Sequence, residues 1–109
     1  MNVYDSDHRK LGQINQYGTV TNNDDYKIGD VSEDGTVIDG YGRMVGNIDE
    51  EGLITSTEDD PIGSISEDGT VFSKSKQVAG SIDMSNNDNI FQAGGAALLL
   101  LLLPNLGSA

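Results

Sequence analysis

From Leu11 to Ile82 the chain sets short apolar-polar alternations between polar clusters, and the apolar positions keep a fixed spacing. Five segments begin alike: Leu11-Gly12-Gln13-Ile14, Ile28-Gly29-Asp30-Val31, Val45-Gly46-Asn47-Ile48, Ile62-Gly63-Ser64-Ile65 and Ala79-Gly80-Ser81-Ile82. Their glycines recur every 17 residues with no insertion, which is the signature of a repeat architecture. In four segments a second glycine follows, at Gly18, Gly35, Gly52 and Gly69, and two residues beyond each stands Val20, Val37, Ile54 or Val71.

This spacing predicts hairpins. Gln16-Tyr17-Gly18, Glu33-Asp34-Gly35, Glu50-Glu51-Gly52 and Glu67-Asp68-Gly69 suit a three-residue turn whose glycine takes the left-handed conformation that a Cβ would penalise. With residues 16 to 18 as the loop, Asn15 faces Thr19 and Ile14 faces Val20, so β-branched residues meet on one face. The other face carries Gln13, Asn15, Thr19 and Thr21, and such alternation means one buried and one wet face.

The fifth segment lacks its own continuation, because Asn86 stands where the turn glycine belongs and Asp88 where the apolar partner belongs. Counting back 17 residues from Val20 reaches Val3, so Asn2-Val3-Tyr4-Asp5 reads as a free second strand. Pairing residues 2 to 5 with residues 80 to 84 would close the sheet and remove both exposed edges.

Beyond this pattern comes an apolar tail. Asn89 reads as an N-cap, Gln92 completes a capping-box pair three residues on, and Pro104 stops a helix over 89–104. Residues 90 to 103 would span roughly 21 Å at ~1.5 Å per residue, short of the ~20 residues that cross a bilayer. The leucine run Leu98 to Leu103 leaves no polar side, so protein or lipid must cover it. A barrel of about eight strands is filled by its own side chains, so ten strands should leave a central space that this helix fills. The alternative is lipid contact through Leu98, Leu99, Leu100, Leu101, Leu102 and Leu103.

Charge narrows the partners. Eighteen acidic residues against six basic ones give the 109-residue chain a net charge of -12, which repels nucleic acid and anionic lipid. The cations gather only at Arg9-Lys10 and Lys74-Ser75-Lys76. There is no cysteine, so neither a disulfide framework nor a thiolate metal site holds the fold. The N-terminus has neither the basic start nor the apolar stretch of a signal peptide, so a cytoplasmic location is expected, with membrane association as the alternative.

Catalytic chemistry finds little footing. His8 is the single histidine, which excludes the common zinc sets and reads as a surface residue. The carboxylate pairs Glu33-Asp34, Glu50-Glu51 and Glu67-Asp68 fall at hairpin tips, where turn chemistry accounts for them. Asp5-Ser6-Asp7, Asn22-Asn23-Asp24-Asp25 and Glu58-Asp59-Asp60 offer hard oxygen ligands for calcium, but none has the glycine and terminal glutamate of an EF-hand loop. These read as solvated acidic loops, and no catalytic, cofactor-binding or metal-ligating residue is assigned.

The pattern Gly-x-Ile/Val-x-x-x-Gly-x-Val/Ile at a 17-residue period, with its glycine-alanine-leucine tail, resembles the five-fold β-flower family over essentially the whole chain. That resemblance implies a small symmetric ring of β-hairpins with an apolar segment. A more distant analogy is the tubby-like barrel, a closed sheet threaded by an apolar helix. The basic headgroup-binding surface of tubby domains has no counterpart in this sequence.

The expectation is an all-β closed ring of five 17-residue hairpins over 1–88, with the N-terminal strand completing the fifth. An apolar helix over 89–104 threads the centre, and a short tail occupies 105–109. Its expected role is a monomeric, cofactor-free, non-enzymatic structural or binding module, and the alternative is a membrane-associated or apolar-ligand-binding barrel.

Overall fold

The structure, a computed structural model, describes residues 1–84 and 89–102. Ten antiparallel strands form a closed barrel: β1 (Asn2–Asp5), β2 (Lys10–Ile14), β3 (Thr19–Asn22), β4 (Lys27–Val31), β5 (Thr36–Asp39), β6 (Met44–Ile48), β7 (Leu53–Thr55), β8 (Pro61–Ile65), β9 (Thr70–Ser73) and β10 (Val78–Ile82). Each strand pairs with its neighbours in sequence, and β1 pairs with β10 to complete the circle. Val3 stands opposite Ile82, Tyr4 opposite Ser81 and Asp5 opposite Gly80, and the Asp83 amide donates to the Asn2 carbonyl. Among the described residues no strand is left with an open edge to recruit another chain.

The register follows the alternation in the sequence. Ile14 faces Val20, Val31 faces Val37, Ile48 faces Ile54 and Ile65 faces Val71, and all eight are buried. The turn glycines lie in the left-handed region, as at Gly35 with φ of 93° and Gly69 with φ of 92°. Their carbonyls accept from the next strand pair, Gly35 O from the Ile48 amide and Gly69 O from the Ile82 amide.

Two features depart from plain alternation. On one side of each first-segment glycine the ladder slips by one residue, skipping Leu11, Ile28, Val45, Ile62 and Ala79. A β-bulge of this kind bends the strand and increases its twist, which helps a sheet close. It also turns the residue before the glycine toward the core: Ile62 is buried, and Leu11, Ile28, Val45 and Ala79 pack partly buried against the same cluster. At the opposite end of the barrel the turns place left-handed residues at His8, Asp25, Asp59 and Lys76, with φ between 64° and 68°, and at Gly42.

The C-terminal segment is helical, as expected, but changes pitch along its length. An α-helix, α1, runs over Ile90–Ala97, and the chain then widens into a π-helical turn over Leu98–Leu102. Asn89 caps it as expected, its side-chain oxygen accepting from the Phe91 amide. Gln92 does not reach back to form the capping box; its Nε2 donates to the Gln16 carbonyl on the barrel. Asn86, Asp88, Leu103, the Pro104 stop and the 105–109 tail lie outside the described residues.

Helix and barrel share one hydrophobic cluster. Ala93, Ala96, Ala97, Leu98, Leu99, Leu101 and Leu102 are buried with Val3, Val20, Val37, Ile54 and Val71, and α1 touches β2, β4, β6, β8 and β10. The five leucines of the π-turn approach five glycines. A Cβ placed on Gly46 would come within 2.8 Å of Leu98, on Gly29 within 2.8 Å of Leu99, and on Gly12 within 3.0 Å of Leu100. On Gly80 it would come within 2.9 Å of Leu101, and on Gly63 within 2.9 Å of Leu102. Those glycines lie on β6, β4, β2, β10 and β8, successive alternate strands around the barrel. Five residues therefore complete one circuit, where an α-helix would use ~3.6, and the i→i+5 bonding of a π-turn brings the backbone closer to that pitch.

Candidate functional site

Of the paired carboxylates at the hairpin tips, Asp34 and Asp68 are tied into their turns. Asp34 accepts from the Ser32 hydroxyl and the Thr36 amide, and Asp68 accepts from the Ser66 hydroxyl and the Thr70 amide. The serine hydroxyls, with the threonine amides second, hold both carboxyls below the ordinary aspartate range. Neither is raised toward the neutral-pH range in which a general acid works.

In the loops weighed as calcium ligands, the Asp5 and Asn22 side chains are turned onto the backbone. Asp5 Oδ1 accepts from the amides of Asp7 and Arg9, and Asn22 Oδ1 accepts from those of Asp24 and Tyr26. Ser56 Oγ accepts from the amides of Glu58 and Asp60. Such Asx and ST turns explain why these residue types recur at the strand ends. Among the described residues no three histidine, cysteine, aspartate or glutamate side chains gather closely enough to hold a metal ion.

Shallow clefts open on the outer surface, and two of them are lined by described residues. One, of about 330 Å³, is lined by Tyr4, His8, Asp68, Ser81, Ile82 and Asp83 and lies along the β1–β10 pairing. His8 and Ser81 share it, but among the described residues no hydrogen bond joins their side chains, so the nucleophile–base contact of a hydrolase is not formed. The other, of about 400 Å³, is lined by Lys27, Ile28, Asp39, Gly40 and Tyr41. Asp39 is held below the ordinary range chiefly by the Arg43 amide, opposed by partial desolvation and helped by the Tyr41 amide and the Arg43 guanidinium. That guanidinium lies 5.5 Å over the Tyr41 ring, a cation–π contact at the rim. Tyr41 itself is 87% exposed, and Tyr17 and Tyr26 also stand largely in solvent.

The leucines expected to meet either protein or lipid are placed in protein from Leu98 to Leu102, with Leu100 partly exposed. No helix among the described residues is long and apolar enough to cross a membrane. The rim tyrosines and the β1–β10 cleft were not singled out in the sequence, since solitary tyrosines carry no periodic signal.

No family model matches this chain, and no curated protein or solved structure matches it.

Proposed function

We propose that this chain is a non-enzymatic structural or binding module, built as a ring of five 17-residue hairpins around a C-terminal helix that threads its centre, in the manner of the five-fold β-flower proteins it resembles. One observation carries the reading: Leu98 to Leu102 meet Gly46, Gly29, Gly12, Gly80 and Gly63, one leucine for each alternate strand in ring order. A helix lying across the outside of the barrel would touch one or two neighbouring strands, whereas α1 touches β2, β4, β6, β8 and β10. In this reading the helix occupies the interior, and partners are met on the outer wall and the two rims. The engaged turn carboxylates and the lone exposed histidine support a role without catalysis.

The decisive experiment removes the support of the helix. With Leu98→Asp, a charge enters a site 0% exposed, where it costs several kcal/mol unless it is neutralised. Such a chain should lose its cooperative melt and aggregate. If instead Leu98→Asp melts like the parent and a chain ending at Asn89 stays soluble and folded, the ring does not need its helix. Loss of liposome binding by Leu98→Asp would then favour the membrane reading.

A further inference from the structure

The barrel has one seam that no turn closes. Every neighbouring pair of strands in the ring is joined by a turn except β1 and β10, which are held by hydrogen bonds and by the packing of Val3 against Ile82. β1 is also the shortest path to release: it hangs on β2 through Ser6, Asp7, His8 and Arg9 alone, all exposed. That hinge is strained, since His8 sits at φ of 64° in the left-handed region. Short hinge loops under strain favour exchange of the attached element between copies, because opening the turn relieves the strain while the strand recovers the same contacts in its new place.

We propose that the β1–β10 seam is an exchange site for a second copy of this chain, in which β1 of each protomer fills the slot between β10 and β2 of the other. Every bond of the seam is reproduced in the exchanged pair: Val3 against Ile82, Tyr4 beside Ser81, and the Met1 amino group on the Ile14 carbonyl. What is given up lies in the hinge, where the Asp5 amide bonds the Arg9 carbonyl and Asp5 Oδ1 holds the amides of Asp7 and Arg9. Extended at roughly 3.3–3.6 Å each, the four hinge residues reach about 13–14 Å, so the two barrels face each other across the rim that bears this turn. The charge of -12 on each copy opposes that approach and makes exchange dependent on salt. The closed monomer thus prevails in dilute solution, and the exchanged dimer forms when chains refold together at high concentration.

The test refolds the full chain from denaturant at low and high protein concentration in high salt, with mass read by light scattering. The expected result is a dimer fraction that rises with concentration and persists on dilution, because separation requires both barrels to reopen. His8→Gly, which removes the left-handed strain from the closed turn, should lower that fraction several-fold. Tyr4→Cys with Ser81→Cys places a cysteine pair at facing positions of the seam in a chain that otherwise has none, so oxidation reports which chain owns each strand. Covalent dimers should appear from the dimer fraction and internal links from the monomer. Monomer at every concentration, a dimer linked only within chains, or a dimer fraction indifferent to His8→Gly would each overturn the proposal.

Discussion

Leu98 occupies the space that a side chain on Gly46 would need: a Cβ built there falls 2.8 Å from Leu98 Cδ2 and 2.5 Å from the Thr55 carbonyl oxygen. The glycine is demanded from two sides, by the neighbouring backbone and by the helix. Gly46→Ala should therefore destabilise by about 1–3 kcal/mol, the usual cost of overpacking, in a denaturant titration. Gly40→Ala is the control, because its Cβ would meet nothing nearer than 3.4 Å, and it should change stability by less than about 0.5 kcal/mol.

The glycines of α1 make the reciprocal fit. A Cβ on Gly95 would run into both γ-carbons of Val31, and one on Gly94 would come within 2.6 Å of Ile48 Cγ1. Gly95→Ala improves helix propensity by about 1 kcal/mol in isolation, so a destabilised variant would report the clash directly. Trimming the neighbour with Val31→Ala should then be less harmful in the Gly95→Ala background than in the parent. A double-mutant cycle should give a coupling of about 0.5–3 kcal/mol between the two sites.

The turn carboxylates set the acid side of the stability profile. Asp34 and Asp68 titrate below the ordinary aspartate value of ~3.9 because the folded state holds their ionised form. A depressed folded pKa contributes stability that is present above the unfolded value and lost as pH falls through the folded one. Stability should thus decline as the pH falls below about 4. Ser32→Ala and Ser66→Ala should move the Asp34 and Asp68 carboxyls back up toward the ordinary value, read by carboxyl carbon NMR titration.

How much of this was legible before the structure depends on which residues carry a signal. Ile14 opposite Val20, and Val3 opposite Ile82, follow from a constant spacing and a period of two, because a slip of one residue would turn every apolar side chain outward. The turns at Gly35 and Gly69 are announced by the glycine itself. The turns at the other rim are not, since His8, Asp25, Asp59 and Lys76 adopt the same left-handed conformation without that residue. The bulges that skip Leu11 and Ile28 leave no mark beyond an extra apolar residue before each glycine. The π-turn was equally hidden, because consecutive leucines have no period from which a pitch could be read. At the surface, the cleft beside His8 and the rim at Tyr41 arise from residues brought together only by closure of the sheet.

Each leucine of the π-turn approaches the glycine of its own strand around the ring. The measurement that reaches it most directly is a set of NOEs between the methyl groups of Leu98 to Leu102 and the α-protons of the strand glycines, in chains with selectively labelled leucine methyls. Five separate pairings are expected, Leu98 with Gly46, Leu99 with Gly29, Leu100 with Gly12, Leu101 with Gly80 and Leu102 with Gly63. Leucine methyls that show no glycine contacts, or that all report to one or two neighbouring strands, would contradict it.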